Sequence, residues 1–64
     1  MKRRELESHM RSHGCAFHHH GGRHDVWTNP RTRESASVPR HSEIKPGLGR
    51  GICRQLGIPA PPTK

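Results

Sequence analysis

The sequence predicts a small α+β fold in which a helix, a three-stranded antiparallel sheet and a second helix follow one another. Near both ends of the chain, apolar residues recur at the three- and four-residue spacing of one helix face. Residues 15 to 20 instead alternate with the period of two that is typical of a strand. Glycine and proline separate the segments, at Gly14, Gly21-Gly22, Asn29-Pro30 and Pro39.

The first helix is predicted over residues 3 to 13. Leu6 and Met10 lie four residues apart and form one narrow apolar stripe. Glutamates occur in its first turn, where the positive end of the helix dipole favours them. Gly14 follows at the place of a left-handed C-terminal cap, which indicates that the helix ends there.

The sheet is predicted from Cys15 to Val38. Gly21-Gly22 indicates a hairpin turn, because glycine accepts the positive φ angles that such turns require. The second strand spans residues 23 to 28, and the third runs from residue 33 until a proline ends it. We expect the aromatic residues Phe17 and Trp27 to pack in the core rather than stack on bases.

The second helix is predicted over residues 46 to 56. Proline suits its first turn, Leu48, Ile52 and Leu56 repeat every four residues, and Gly57 marks its end. Residues 1 to 58 thus form one domain. We expect residues 59 to 64 to be a flexible Pro-rich tail with nothing to bury.

Charge and length exclude several classes of protein. The 64 residues carry 12 Lys and Arg against 5 Asp and Glu, a formal charge of +7, together with 7 His. So short a chain excludes a multidomain enzyme and a deep cofactor pocket, and its basic surface suits a phosphate-bearing partner. No apolar run approaches the roughly 20 residues of a membrane span, and no signal peptide opens the chain, which predicts a cytoplasmic protein.

We expect Cys15 and Cys53 to be buried, small apolar residues.

Several short motifs, in this order, resemble those of the HicA (YcfA-like) toxin family. The resemblance reaches to about Ile58 and is specific as an ordered set. The motifs are Gly14-Cys15 after the first helix, Gly22-x-His24, Asn29-Pro30, Val38-Pro39-Arg40-His41 and Leu48-x-x-x-Ile52-x-x-x-Leu56-Gly57-Ile58.

The resemblance implies a fold like that of double-stranded-RNA-binding domains, cleavage of mRNA, and inhibition by a HicB-like antitoxin. The functional histidine of the family lies in a Gly-Ser-His motif that corresponds here to Gly22-Arg23-His24. His24 is therefore the catalytic candidate, and Gly21 and Gly22 are the turn residues before it. Arg23 replaces the serine, so any contact of that position with a phosphate must come from charge.

The residues of the chain suit the implied cleavage of RNA. Histidine titrates near neutral pH, as a group that takes a proton from a ribose 2′-hydroxyl or gives one to the leaving oxygen must do. Cations offset the charge that builds on the phosphate, and the candidates for binding RNA are Arg23, Lys2, Arg3, Arg4 and Arg40. Asp25, next to His24 on a strand, points to the opposite face, so we expect an exposed charge. The five scattered carboxylates favour a reaction without a metal or other cofactor.

The sequence is also compatible with two other functions. The chain is a non-catalytic RNA-binding module if Arg23 in the serine position abolishes cleavage. It is a histidine-rich metal-binding protein if His18-His19-His20 bind an ion, although alternating faces of a strand keep the three from one ion. His41 is a weaker candidate for a second acid–base group.

Overall fold

The computed structural model describes residues 1–62 and has the predicted α+β architecture. Its elements are α1 (Arg3–Ser12), β1 (Ala16–Gly21), β2 (His24–Asn29), β3 (Glu34–Pro39) and α2 (Pro46–Leu56). The three strands form one antiparallel sheet in the order β1-β2-β3. This order of elements is that of the double-stranded-RNA-binding-domain-like fold. The predicted boundaries differ from the observed ones by at most one residue, and those of α2 agree at both ends.

Both helices end in the same hydrogen-bonded cap. After α1, Gly14 N–H donates to the carbonyl of Arg11 and Cys15 N–H to that of Met10, at 3.0 and 2.9 Å. Gly57 and Ile58 repeat this pair of bonds after α2, with Gly57 at a φ of +73°, which glycine adopts without steric cost. Over residues 1–62, neither helix has the length and apolar character that a membrane crossing requires.

One face of the sheet is covered and the other is open. Trp27 on β2 and Ala36 and Val38 on β3 point toward the helices and are buried. The helices contribute Leu6, Met10, Ile52, Cys53 and Leu56 to the same core. Cys15 and Cys53 are both buried free thiols, so the prediction for them is confirmed. We call the surface that carries His24, Val26, Ser35 and Ser37 the open face.

Two predicted core residues are exposed instead. Phe17 is 42% exposed, because it lies on the edge strand β1, beyond the part of the sheet that the helices cover. Leu48 is 45% exposed. The buried stripe of α2 passes through Gly49, Ile52, Cys53 and Leu56, so Leu48 lies at its flank.

The first residues of the tail contact the domain, so the expectation that the tail has nothing to bury is wrong for this part. Pro61 is buried beside Gly49, whose missing side chain leaves room for it and for Met1. The His9 ring Nε2 lies 2.8 Å from the carbonyl oxygen of Pro59. The prediction of flexibility also concerns residues 63 and 64, which lie outside the described residues.

One buried polar side chain joins β2 to the end of α2. Asn29 is 1% exposed. Its Nδ2 donates to the carbonyl of Leu56 at 2.8 Å, and its Oδ1 accepts from Arg31 N–H at 3.0 Å. One side chain thus bonds the last carbonyl of α2 and also the backbone N–H of Arg31 in the turn after β2. Asn29 therefore fixes the sheet against the second helix.

Candidate active site

A two-residue hairpin turn positions His24. Gly21, the last residue of β1, pairs with His24, the first residue of β2, so the central turn residues are Gly22 and Arg23 rather than Gly21 and Gly22. Gly22 has a φ of +56°, the sign that the first central position of a type II′ turn requires. His24 is exposed and lies on the open face, at the end of the sheet where the turn begins.

The third strand brings two further side chains beside His24. Pro39, the last residue of β3, pairs with His24, so the chain leaves the sheet at the same end. Gly22, Arg23, His24, Arg40 and His41 together line a shallow depression of about 510 Å³. Two imidazoles and two guanidinium groups therefore surround one exposed hollow.

Asp25 forms an ion-pair network rather than the exposed charge that its strand position predicted. Its side chain is 13% exposed, and Oδ1 lies 2.8 Å from Arg40 Nε and 2.7 Å from His20 Nδ1. The hydrogen bonds from His20 and then from Arg40 hold the pKa of the Asp25 carboxyl below its usual range. Asp25 thus lies on the face opposite His24, as predicted, and orients Arg40 at the rim of the depression.

The three histidines of β1 do not alternate regularly. Phe17 pairs with Trp27 and His19 pairs with Val26, so His18 is an extra residue that forms a β-bulge. The bulge places His19 on the open face, and His20 faces Asp25 on the other side. Within residues 1–62, no three His, Cys, Asp or Glu side chains are grouped as a metal site requires.

The basic residues of α1 form a second cationic area. Lys2, Arg3 and Arg4 line a depression with Glu7 and Ser42. Arg3 N–H donates to the carbonyl of Ser42 at 2.9 Å, and Ser42 follows His41 in the chain, so the loop after β3 connects this area to the His24 depression.

Carboxylates offset part of this second charge. Lys2 Nζ lies 3.1 Å from Glu43, and Arg3 Nε lies 3.7 Å from Glu7. The hydrogen bond from the N-terminal ammonium, and then that from Lys2, lower the pKa of the Glu43 carboxyl. Over residues 1–62, Arg4 and Arg23 form no ion pair, so both remain available to an anion.

Comparison with known proteins assigns the family. The family model described as "HicA toxin of bacterial toxin-antitoxin" matches residues 3–58. Searches of curated proteins and of solved structures gave no significant match. The matched region runs from the start of α1 to the cap after α2 and so contains every element that builds the depression. The chain therefore belongs to the HicA family of toxins from bacterial toxin–antitoxin systems, and membership implies an antitoxin as its partner.

Proposed function

We propose that this toxin is a metal-independent endoribonuclease that cleaves mRNA, with His24 as a general acid or base. The observation that carries the proposal is the placement of an exposed histidine among guanidinium groups, at the end of the β1–β2 hairpin. In the resemblance to HicA toxins, the same residue corresponds to the functional histidine.

The reaction that suits these groups is attack by a ribose 2′-hydroxyl on the adjacent phosphorus. A base takes the hydroxyl proton as the O2′–P bond forms, and the P–O5′ bond breaks with its electron pair moving to the 5′ oxygen. An acid protonates that oxygen, which leaves a 2′,3′-cyclic phosphate and a 5′-hydroxyl end. An imidazole suits either role, because its ordinary pKa lies close to the pH of the cell.

The surrounding cations support binding of the phosphate. Asp25 accepts its hydrogen bond from Arg40 Nε, which leaves the two amino groups of the guanidinium for an anion. Arg23 lies in the turn directly before His24. Lys2, Arg3 and Arg4 extend the positive surface along the loop after β3, so an RNA strand that crosses the depression meets further charge.

The carboxylates of the chain support a reaction without a metal ion. A two-metal nuclease needs carboxylates that converge on one point. Four of the five acidic residues are already hydrogen-bonded or ion-paired within the chain, at separate places: Glu5, Glu7, Asp25 and Glu43.

For the antitoxin, we expect a HicB-like protein with an acidic surface. Such a surface would cover His24 and the arginines together, so it would exclude RNA by occlusion and by neutralising charge. Binding should weaken as salt concentration rises, and RNA and antitoxin should compete. A salt-insensitive complex would indicate apolar contacts instead.

Incubation of the purified protein with RNA in the presence of EDTA tests the proposal. The wild-type protein should cut the RNA and leave cyclic phosphate ends, whereas His24→Ala should not, although circular dichroism should show the same fold. His13→Ala, a change at an exposed histidine outside the depression, is the matched control and should cut normally. Cleavage and growth arrest by His24→Ala at wild-type levels would refute the role of His24.

A non-catalytic RNA-binding module is the second candidate function. Arg23 in the position of the family's serine favours it, because a guanidinium binds a phosphate but does not reproduce a hydroxyl. In the same assay, a mobility shift of intact RNA by the wild-type protein would favour this alternative. Restored cleavage by Arg23→Ser would then identify the serine as the missing group.

A further inference from the structure

We propose that His19 is the second acid–base residue of the same reaction and works with His24 across the β1–β2 hairpin. The inference rests on the proposed ribonuclease function. Cleavage moves two protons, one from the 2′-hydroxyl and one to the 5′ oxygen, and one imidazole cannot be both the base and the acid in a single step.

The β-bulge at His18 places His19 on the open face. In a strand with the same residues but no bulge, His19 would share the face of Phe17, which lies two positions earlier, because side chains alternate along a strand. With the bulge, His19 pairs with Val26 and lies on the same face as His24. The prediction that these histidines simply alternate therefore missed His19.

A glycine then leaves space between the two rings. A Cβ atom on Gly21 would lie 4.0 Å from His19 Nε2, so the His19 ring extends over Gly21. Gly21 is the cross-strand partner of His24, and paired Cβ positions in antiparallel strands are about 4.5–5.5 Å apart. His19 Nε2 therefore lies above the Gly21–His24 pair, on the face to which the His24 side chain points.

His18 orients the second imidazole. His18 Nδ1 and His19 Nδ1 are hydrogen-bonded to each other, and the two rings meet edge to face. Since this bond occupies Nδ1 of His19, Nε2 is the atom left for proton transfer. His18 is thus a positioning residue, and His19 is the one that transfers a proton.

Few charged groups surround His19. His18 is hydrogen-bonded to it on its own strand, the apolar Val26 lies opposite it on β2, and His24 is its diagonal neighbour on the same face. The Asp25 carboxylate lies on the opposite face, where it binds His20 and Arg40. β1 is an edge strand of the sheet that residues 1–62 form, and both helices lie on the covered face.

Cleavage kinetics of His19→Gln test the proposal. Glutamine keeps hydrogen-bonding capacity but does not titrate near neutral pH. We expect kcat to fall about 10²- to 10⁴-fold with little change in KM, and the bell-shaped pH profile of the wild type to lose one limb. The matched control, His13→Gln, should keep the wild-type rate and profile.

A substrate with a sulfur leaving group tests the pairing itself. In RNA whose scissile 5′ oxygen is replaced by sulfur, the leaving group needs no acid. The variant that lacks the acid, either His19→Gln or His24→Ala, should approach wild-type rates on this substrate, and the variant that lacks the base should stay slow.

The outcomes distinguish failure of the role of His19 from failure of the proposed ribonuclease function. If wild type cuts RNA, His24→Ala does not, and His19→Gln keeps a normal kcat or changes only KM, the role of His19 is refuted and the proposed function stands. Failure of the sulfur substrate to rescue either variant likewise refutes the pairing. If the wild-type protein does not cut RNA, the proposed function and this inference both fall.

Discussion

Replacement of Asn29 by alanine tests the contact that fixes the sheet against α2. The change removes the 2.8 Å bond to the Leu56 carbonyl and the 3.0 Å bond from Arg31 N–H. Each bond contributes about 0.5–1.5 kcal/mol net, and the buried carbonyl keeps only the Thr32 hydroxyl at 3.3 Å. We therefore expect the free energy of unfolding to fall by about 2–3 kcal/mol, which corresponds to a melting temperature about 10–20 °C lower in a domain of this size.

Urea and thermal unfolding, followed by the fluorescence of Trp27, would measure this loss. Trp27 is the only tryptophan and is 1% exposed, so its emission reports on the core. Gln55→Ala, an exposed change on α2, is the control and should stay within about 0.5 kcal/mol of wild type. A loss below about 1 kcal/mol for Asn29→Ala would show that water replaces both bonds, and the reasoning would be wrong.

Four further outcomes follow from other parts of the structure. His24→Ala should change the free energy of unfolding by less than about 0.5 kcal/mol in urea titration, because the side chain is exposed; a larger loss would give that ring a structural role. Gly57→Ala should cost about 1–2 kcal/mol in the same titration, since its φ is +73° and its new Cβ would lie 3.2 Å from Thr32 Cγ2; a neutral result would contradict the strain. Burial, and then the neighbouring Cys15, raise the pKa of the Cys53 thiol from 9.0 to about 11. The unfolded chain therefore loses this proton first, and stability should fall as the pH rises from about 9 to about 11. Burial also raises the pKa of the Cys15 thiol, so the Cys53→Ser variant should show a shallower slope, and an unchanged slope would contradict the shift at Cys53. Arg23→Gln should lower the slope of log affinity for RNA against log salt by about one in a binding titration, and an unchanged slope would remove Arg23 from the phosphate contacts.

Periodicity predicted most of the fold because the elements that it describes are local. A four-residue apolar spacing and a glycine cap depend only on neighbouring residues, and both helices end where the caps indicated. The pattern predicts Leu48 in the core because a four-residue spacing fits two overlapping stripes of a helix. Packing of Met1 and Pro61 beside Gly49 selects the other stripe, and such a long-range contact leaves no mark in the local pattern.

The candidate site could be predicted only in part, because several of its contacts join residues that are far apart in the sequence. A local motif predicts His24 as the candidate and a glycine turn before it, although the turn is centred on Gly22-Arg23 rather than on Gly21-Gly22. The pairing of Pro39 with His24 brings Arg40 and His41 beside it, and this pairing is not local. The link between Asp25 and Arg40 depends on the register between strands, which the residue pattern does not specify. The bulge was missed because three identical residues give no signal as to which of them is the extra one.

The irregularity in β1 adds one histidine to the strand without changing the sides on which the flanking residues lie. Phe17 and Gly21 pair with Trp27 and His24, so four residues of β1, His18 to Gly21, lie opposite three residues of β2, His24 to Val26. Deleting one histidine from His18-His19-His20 would remove the extra residue, and the two that remain would lie opposite Val26 and Asp25 in strict alternation. An imidazole would still lie on the surface of His24, so a one-codon deletion should reduce cleavage less than His19→Gln does.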